Sequence, residues 1–260
     1  MQTVLFNETI FGPVRSRRLG LSLGVNLSPR DGKVCTFDCL YCEAGYNAQG
    51  PGTTGLPARA EVARLLDERL CAMAAEGELP DVITFSGNGE PTVHPEFAAI
   101  VDDTLRARDR RCPAARVSVL CNSTMLGRPE VAEALRRVDN AILKLDSALT
   151  PTLRALDRPA SPDFTAERAI ELLEAFGPRA IVQTLLTRGT HDGEPVDNTT
   201  PAELDALIDA YRRIRPREIM LYTIDRRTPE QSLQRIPADE LREAAARISS
   251  ATGIPVQVSA

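Results

Sequence analysis

Short apolar runs rich in Val and Ile, each followed by a longer amphipathic stretch, recur about six times along this sequence of 260 residues. The runs are DVITFSG (81–87), RVSVLCN (116–122), NAILKLD (140–146), RAIVQTLLT (179–187), EIMLYTI (218–224) and PVQVS (255–259), with LSLGVNLS (21–28) ahead of them. Near-continuous hydrophobicity over so few residues is the mark of parallel strands covered on both faces. Between the runs, 59–76, 94–108, 128–137, 164–176, 200–214 and 237–251 carry apolar residues at helical spacing. Thr200, Pro201 and Glu203 form a helix-start signature, and Pro129 and Pro237 open helices in the same way. Strict alternation of this kind folds into right-handed βαβ units on a parallel sheet. About six strong units fall short of a closed eight-fold barrel. The expected fold is therefore α/β, a partial (β/α)6 barrel of parallel strands. It is expected as a single domain over 1–260, with an N-terminal extension over 1–20 and a core over about 21–260.

Hydrophobic content of 43% and charged content of 26% are ordinary for a globular chain. No apolar run of about 18 residues exists, and Met1 to Glu8 lacks the pattern of a signal peptide, so no membrane contact and a cytoplasmic location are expected. In that reducing compartment a tight cysteine cluster reads as a metal site before it reads as disulfides. CTFDCLYCEAG supplies one, with Cys35, Cys39 and Cys42 spaced C-x3-C-x2-C. Three thiolates can each bind one iron of a cubane cluster and leave the fourth iron open, whereas iron–sulfur sites commonly use four cysteines. Zinc is the alternative, but it wants four ligands; the two histidines, His94 and His191, are distant in sequence, which leaves Asp38 or Glu43 to serve. Cys71, Cys112 and Cys121 are scattered and read as buried free thiols.

The spacing, Tyr41 before the third cysteine, and the turn TFSGNGEPTVHPEF resemble the radical SAM superfamily. The resemblance implies a TIM-like partial barrel, a [4Fe-4S] cluster on the three cysteines, and S-adenosyl-L-methionine chelated at the open iron. One-electron cleavage would give methionine and a 5'-deoxyadenosyl radical that abstracts hydrogen from substrate, with a reducing partner such as flavodoxin or ferredoxin. Gly87, Asn88, Gly89 and Glu90 correspond to the turn that faces the methionyl group; Asn88 between the glycines departs from the family's Gly-Gly-Glu pattern. Lys144, Asp146 and Ser147 resemble the ribose-contacting position. Asn122 at a strand end, and Tyr222 with Ile224 near the adenine, complete the implied cofactor contacts. Core packing or strand capping is the alternative for each.

Independently of that resemblance, Lys144 alternates with Leu143 and Leu145 and so points to the opposite face. In a barrel that face is the interior, where a charge needs a partner, and Asp146 shares it. Lys33 and Lys144 are the only lysines among 31 basic residues.

FGPVRSRRLGLSLGVNLSP (11–29), with LDRPA (156–160) and TIDRRTP (223–229), resembles the wyosine-synthase-like branch. That branch modifies tRNA and carries a second cluster on cysteines upstream of the motif. No cysteine precedes Cys35 here, and the net charge is −5. A compact single-cluster relative is expected, acting on a small molecule, peptide or nucleoside; nucleic acid is not favoured. Arg17 and Arg18 suit a carboxylate or phosphate, or ion pairs on the rim. Lys144, Arg17 and Arg18 are the catalytic candidates. His191 and Asp192 lie in the longest polar loop, 187–198, and either touch substrate or are exposed loop polarity. A tRNA modifier and an iron–sulfur electron carrier or metal-stabilised binding protein are the competing readings.

Overall fold

In the computed structural model, which describes residues 4–16 and 19–260, the alternation becomes one sheet. Seven strands run parallel: β2 (Gly20–Val25), β3 (Val82–Phe85), β4 (Arg116–Cys121), β5 (Asn140–Lys144), β6 (Ala180–His191), β8 (Glu218–Thr223) and β10 (Val256–Ser259). With β1 (Ile10–Ser16) first, the order β1-β2-β3-β4-β5-β6-β8-β10 begins and ends on different strands, which makes a partial barrel. Part of the expected N-terminal extension is itself a strand: β1 (Ile10–Ser16) lies antiparallel on β2.

Helices α1 (Arg59–Glu76), α2 (Phe97–Arg111), α3 (Pro129–Arg137), α4 (Thr150–Asp157), α5 (Ala166–Phe176), α6 (Pro201–Ile214) and α7 (Ala238–Thr252) connect the strands. Thr200 caps α6 by accepting from the Glu203 N–H at 3.2 Å, and Thr165 caps α5 by accepting from Arg168 at 3.1 Å. The helices bury their apolar stripes on one side of the sheet, against Leu23, Val25, Ile83, Phe85, Val117 and Val119, with Phe97 of α2 edge-on to Phe85. Each such side chain contributes on the order of 1.5–3 kcal/mol when fully buried.

Three elements differ from expectation. The helix expected from 94 begins at Phe97, because Pro91–Val93 form a short 3₁₀ turn and the His94 ring accepts from the Glu96 N–H at 3.1 Å. Helix α4 is only 8 residues and carries too short a pattern to stand out. The polar stretch 187–198 is a hairpin, with β6 running on to His191 and turning at Asp192 and Gly193 into β7 (Glu194–Asp197). The short β9 (Gln234–Arg235) also pairs with β6.

The other side of the sheet is the barrel interior. Every second residue faces it: Ser118 and Leu120 of β4 neighbour Asn140 and Ile142 of β5, which continue to Ile181 of β6. At the N-terminal ends of the strands it opens into a cavity of about 460 Å³ walled by Ile181, Met220 and Gln257 and rimmed by Arg116, Asp139 and Arg217.

Candidate active site

The cysteines occupy the long connection between β2 and α1, above the C-terminal ends of the parallel strands, where α/β folds place their sites. Backbone pairing to the end of α4 fixes their loop. The Asp38 N–H donates to Asp157 O at 3.0 Å, Leu40 to Leu156 O at 3.0 Å, and Ala160 to Thr36 O at 2.9 Å. LDRPA thus cradles the loop. Within it, the Asn47 amide donates to the carbonyls of Cys35 and Phe37, and Lys33 Nζ donates to Gly45 O at 2.7 Å.

Cys39 is buried, while Cys35 and Cys42 are half-buried. The Phe37 N–H and the Asn122 amide donate to Cys35 Sγ at 3.5 and 3.7 Å. Such outer bonds hold a ligating sulfur in place and tune it. As free thiols the cysteines resist ionisation. Burial, reinforced by the charge of Glu90, pushes Cys35 up to about 12, and burial with the nearby Asp157 pushes Cys39 well above its usual range. Among the described residues no three His, Cys, Asp or Glu side chains converge on one ion position, as a mononuclear zinc site requires. Three thiols on one loop, with N–H donors on Cys35 and, among the described residues, no trio of His, Cys, Asp or Glu set for a single ion, fit a cluster in which each thiolate holds a different iron.

Beneath the loop lies a buried polar network. Lys144 Nζ, at the end of β5, donates to Asp146 at 3.1 Å and to the Tyr41 hydroxyl. That hydroxyl shares its one proton between Asp146 and, at 3.2 Å, Asp157 Oδ1, which also accepts from the Cys39 thiol at 3.4 Å. Asp146 Oδ1 accepts from the Leu185 N–H at 2.8 Å. The expected Lys144–Asp146 pair is therefore present, facing inward. Burial opposes the lysine's charge most strongly, but Asp146, Tyr222, Cys39 and Asp157 together outweigh it and hold its pKa well above the ordinary value. Burial, then Asp146, pushes Asp157 well above the carboxylate range.

The other expected contacts divide into two groups. Asn122 faces the loop, its amide also donating to Thr36 Oγ1 at 2.8 Å, and Tyr222 stands on the interior face near Lys144. Glu90 lies close to Cys35, but its oxygens accept from Thr92 and from the Asn122 N–H at 2.7 Å, joining the turn to β4. Asn88 is wholly buried: Nδ2 donates to Phe6 O and Pro29 O, and Oδ1 accepts from the Phe6 N–H, so it clamps the N-terminal arm. Ser147 Oγ bonds Glu203 at 2.7 Å and the Leu149 backbone, at the entry to α4. Ile224 packs at the edge of the main core. Gly87 takes φ +133, open to glycine alone, and a Cβ on Gly89 would overlap the Val34 carbonyl and sit 2.6 Å from Ser28 Oγ. Arg17 and Arg18 lie outside the described residues. His191 Nδ1 bonds Glu230 at 2.7 Å on the hairpin, and the Glu230 N–H donates to Leu40 O. Asp192 is at the exposed hairpin tip.

Sequence reasoning did not single out Asp157, Thr36 or Lys33. Asp157 was present in LDRPA, but only the folded chain brings it to Cys39.

The sequence model of the radical SAM superfamily matches residues 31–198. The chain is similar to a protein of Brachyspira hyodysenteriae called GTPase Obg, 26% identical over 98% of this chain but only 35% of that protein. The chain thus spans about a third of that relative's length. Its one Gly-Lys pair, Gly32-Lys33, is followed by Val34, so it has no phosphate-binding G-x4-G-K-[ST] loop of its own. Among solved structures, a radical SAM methyltransferase from Sphaerobacter thermophilus superposes with a TM-score of 0.65 at 16% identity, covering 92% of this chain and 65% of that one. TYW1 with a lysine-pyruvate adduct bound superposes with a TM-score of 0.59 at 13% identity, covering 88% and 73%.

Proposed function

Because the chain belongs to the radical SAM superfamily, we propose that Cys35, Cys39 and Cys42 hold a [4Fe-4S] cluster for reductive cleavage of S-adenosylmethionine. The enzyme's substrate would lie inside the barrel. The observation that carries this reading is the set of three thiols on one loop over the strand ends, with N–H donors on Cys35. When bound, the cluster supplies one electron that splits the sulfonium into methionine and a 5'-deoxyadenosyl radical, the species that takes hydrogen from substrate.

The chain's own residues do the rest. Asn122 and the Phe37 N–H orient Cys35. The 156–160 cradle and Asn47 fix the loop against the strands. Glycine at 89 lets the turn approach Val34 beside Cys35, and glycine at 87 supplies the positive φ and the close contact with Asn26. The buried network of Lys144, Tyr41, Asp146 and Asp157 packs against Cys39 and keeps water from it. Asp146, with Tyr222, Cys39 and Asp157, favours the charged form of Lys144, which disfavours a carbonyl adduct on this amine. The electron comes from a reducing protein of the flavodoxin or ferredoxin kind. On the described rim, Arg158 and Arg226 are paired with Asp38 and Glu43, at 3.6 and 2.8 Å, so these two arginines give no support to a tRNA substrate.

The test is anaerobic reconstitution with iron and sulfide, reduction with dithionite, addition of S-adenosylmethionine, and mass spectrometry for 5'-deoxyadenosine. Product that disappears in the Cys35→Ala, Cys39→Ala, Cys42→Ala triple variant supports the reading. An iron-loaded protein that never cleaves the cosubstrate, even with cell extract as a substrate source, would point to electron transfer instead.

A further inference from the structure

On the interior face, Ile142, Ile181 and Met220 form a small apolar floor, separate from the main core, with Leu19 and Leu120 packed against it. The lower cavity ends at Ile181 and Met220. Gln183 shares this face. It follows Ile181 by two residues, and its neighbours across the sheet are Lys144 on β5 and Met220 on β8. It is only 7% exposed, and its Nε2 has no hydrogen-bond partner.

That is a costly arrangement. A buried N–H donor left unpaired forfeits its bonds to water with nothing in return, and native structures hold few of them. Fold alone does not call for an amide here, because a methionine or leucine would continue the apolar floor. Beside it, Lys144 spends two of its three N–H donors on Tyr41 and Asp146. One donor of Lys144 and the amide of Gln183 therefore stand at the same level of the barrel, between the apolar floor and the cysteine loop.

We propose that Gln183 is a substrate-binding residue, donating with Lys144 to a carboxylate or carbonyl oxygen of the substrate. The inference rests on the radical reading of the site and names the group by which the substrate is held. The apolar floor takes the carbon skeleton, and the two donors fix its oxygen end. That arrangement decides which C–H bond faces the cysteine loop.

The test uses the reconstituted protein with acetate as the carboxylate probe and N-methylacetamide as the neutral carbonyl probe. Denaturation midpoints are followed for wild type and Gln183→Met as either probe is added. Acetate also stabilises proteins without specific binding, so the difference between the two proteins is the readout. Gln183→Met lacks the orphan donor and is expected to be at least as stable as wild type without probe. It is expected to need about tenfold more of the preferred probe for the same rise in midpoint. Preference for acetate would identify a carboxylate, and preference for the amide a neutral carbonyl; both support the assignment. Equal responses in the two proteins, or no response in wild type to either probe beyond that to chloride, would overturn it. If methionine disturbs the fold, Gln183→Leu is measured in the same way, and the wild-type titration still decides. 5'-Deoxyadenosine formation is recorded for the same preparations. Loss of product in both proteins sinks the radical reading, whereas loss of the probe response alone sinks only the role of Gln183.

Discussion

At the scale of single residues, the site depends on groups that cannot be removed one at a time. Lys144 and Asp146 are buried partners 3.1 Å apart, with Asp146 fully enclosed. Removing one leaves the other charge uncompensated, which costs about 3–5 kcal/mol. Lys144→Met and Asp146→Leu should each lower stability by that order in urea unfolding, while the two combined should recover part of it. A double variant as unstable as the sum of the two singles would show that the pair is not coupled. Gly89 gives a steric counterpart. A methyl group there meets the Val34 carbonyl and Ser28 Oγ, so Gly89→Ala should cost about 1–3 kcal/mol and reduce iron uptake on reconstitution. Iron content equal to wild type would show that the close approach does not set the loop. The Lys144–Asp146 pair was legible in the sequence, because alternation puts both side chains inward. Asp157 was not, since 118 residues separate it from Cys39 and no local pattern connects them.

At the scale of elements, ties between neighbouring helices are modest and depend on pH. Arg59 of α1 donates to Asp103 of α2 at 2.6 Å, and Arg106 also bonds it. These bonds hold the Asp103 carboxyl below its ordinary range, Arg59 foremost. A depressed carboxyl stabilises the fold above its unfolded pKa of about 3.9, and the contribution is lost as pH falls through the folded value. Asp103→Asn should therefore cost at most about 1 kcal/mol at pH 7, given the partial exposure of both partners. The difference from wild type should shrink below about pH 4, as read from denaturant midpoints; a constant difference across that range would reject the ion pair as its source. Element boundaries follow the same division between local and distant causes. Helix α1 is found over the full expected span because its apolar spacing and Gly77 end are local signals. The hairpin at 187–198 was missed although Asp192-Gly193 is a strong two-residue turn signal, because the flanking strands are polar and their pairing carries no hydrophobic alternation.

At the scale of the whole molecule, the alternation of strands and helices was readable because parallel strands buried on both faces are rich in Val, Ile and Leu. Strand β1 was not, because it is an antiparallel edge with little to distinguish it from an extended arm. The placement of the cysteines over the strand ends followed once the first strand was located; the identity of the interior polar groups needed the register of all the strands together. The same register settles where the amines are. Lys33 and Lys144 are the only lysines, and both lie inside, Lys33 with its side chain 2% exposed and Lys144 with 14%. The folded surface carries its positive charge as guanidinium, and the α-amino group aside, an amine-directed acylating reagent has nothing to react with there. Acylation of Lys33 or Lys144, mapped by peptide mass, should therefore proceed only when the cysteine loop lifts from the strands. Its rate would clock that opening, and should slow when iron and sulfide are restored; rapid acylation of both in the closed protein would show that the loop is no seal.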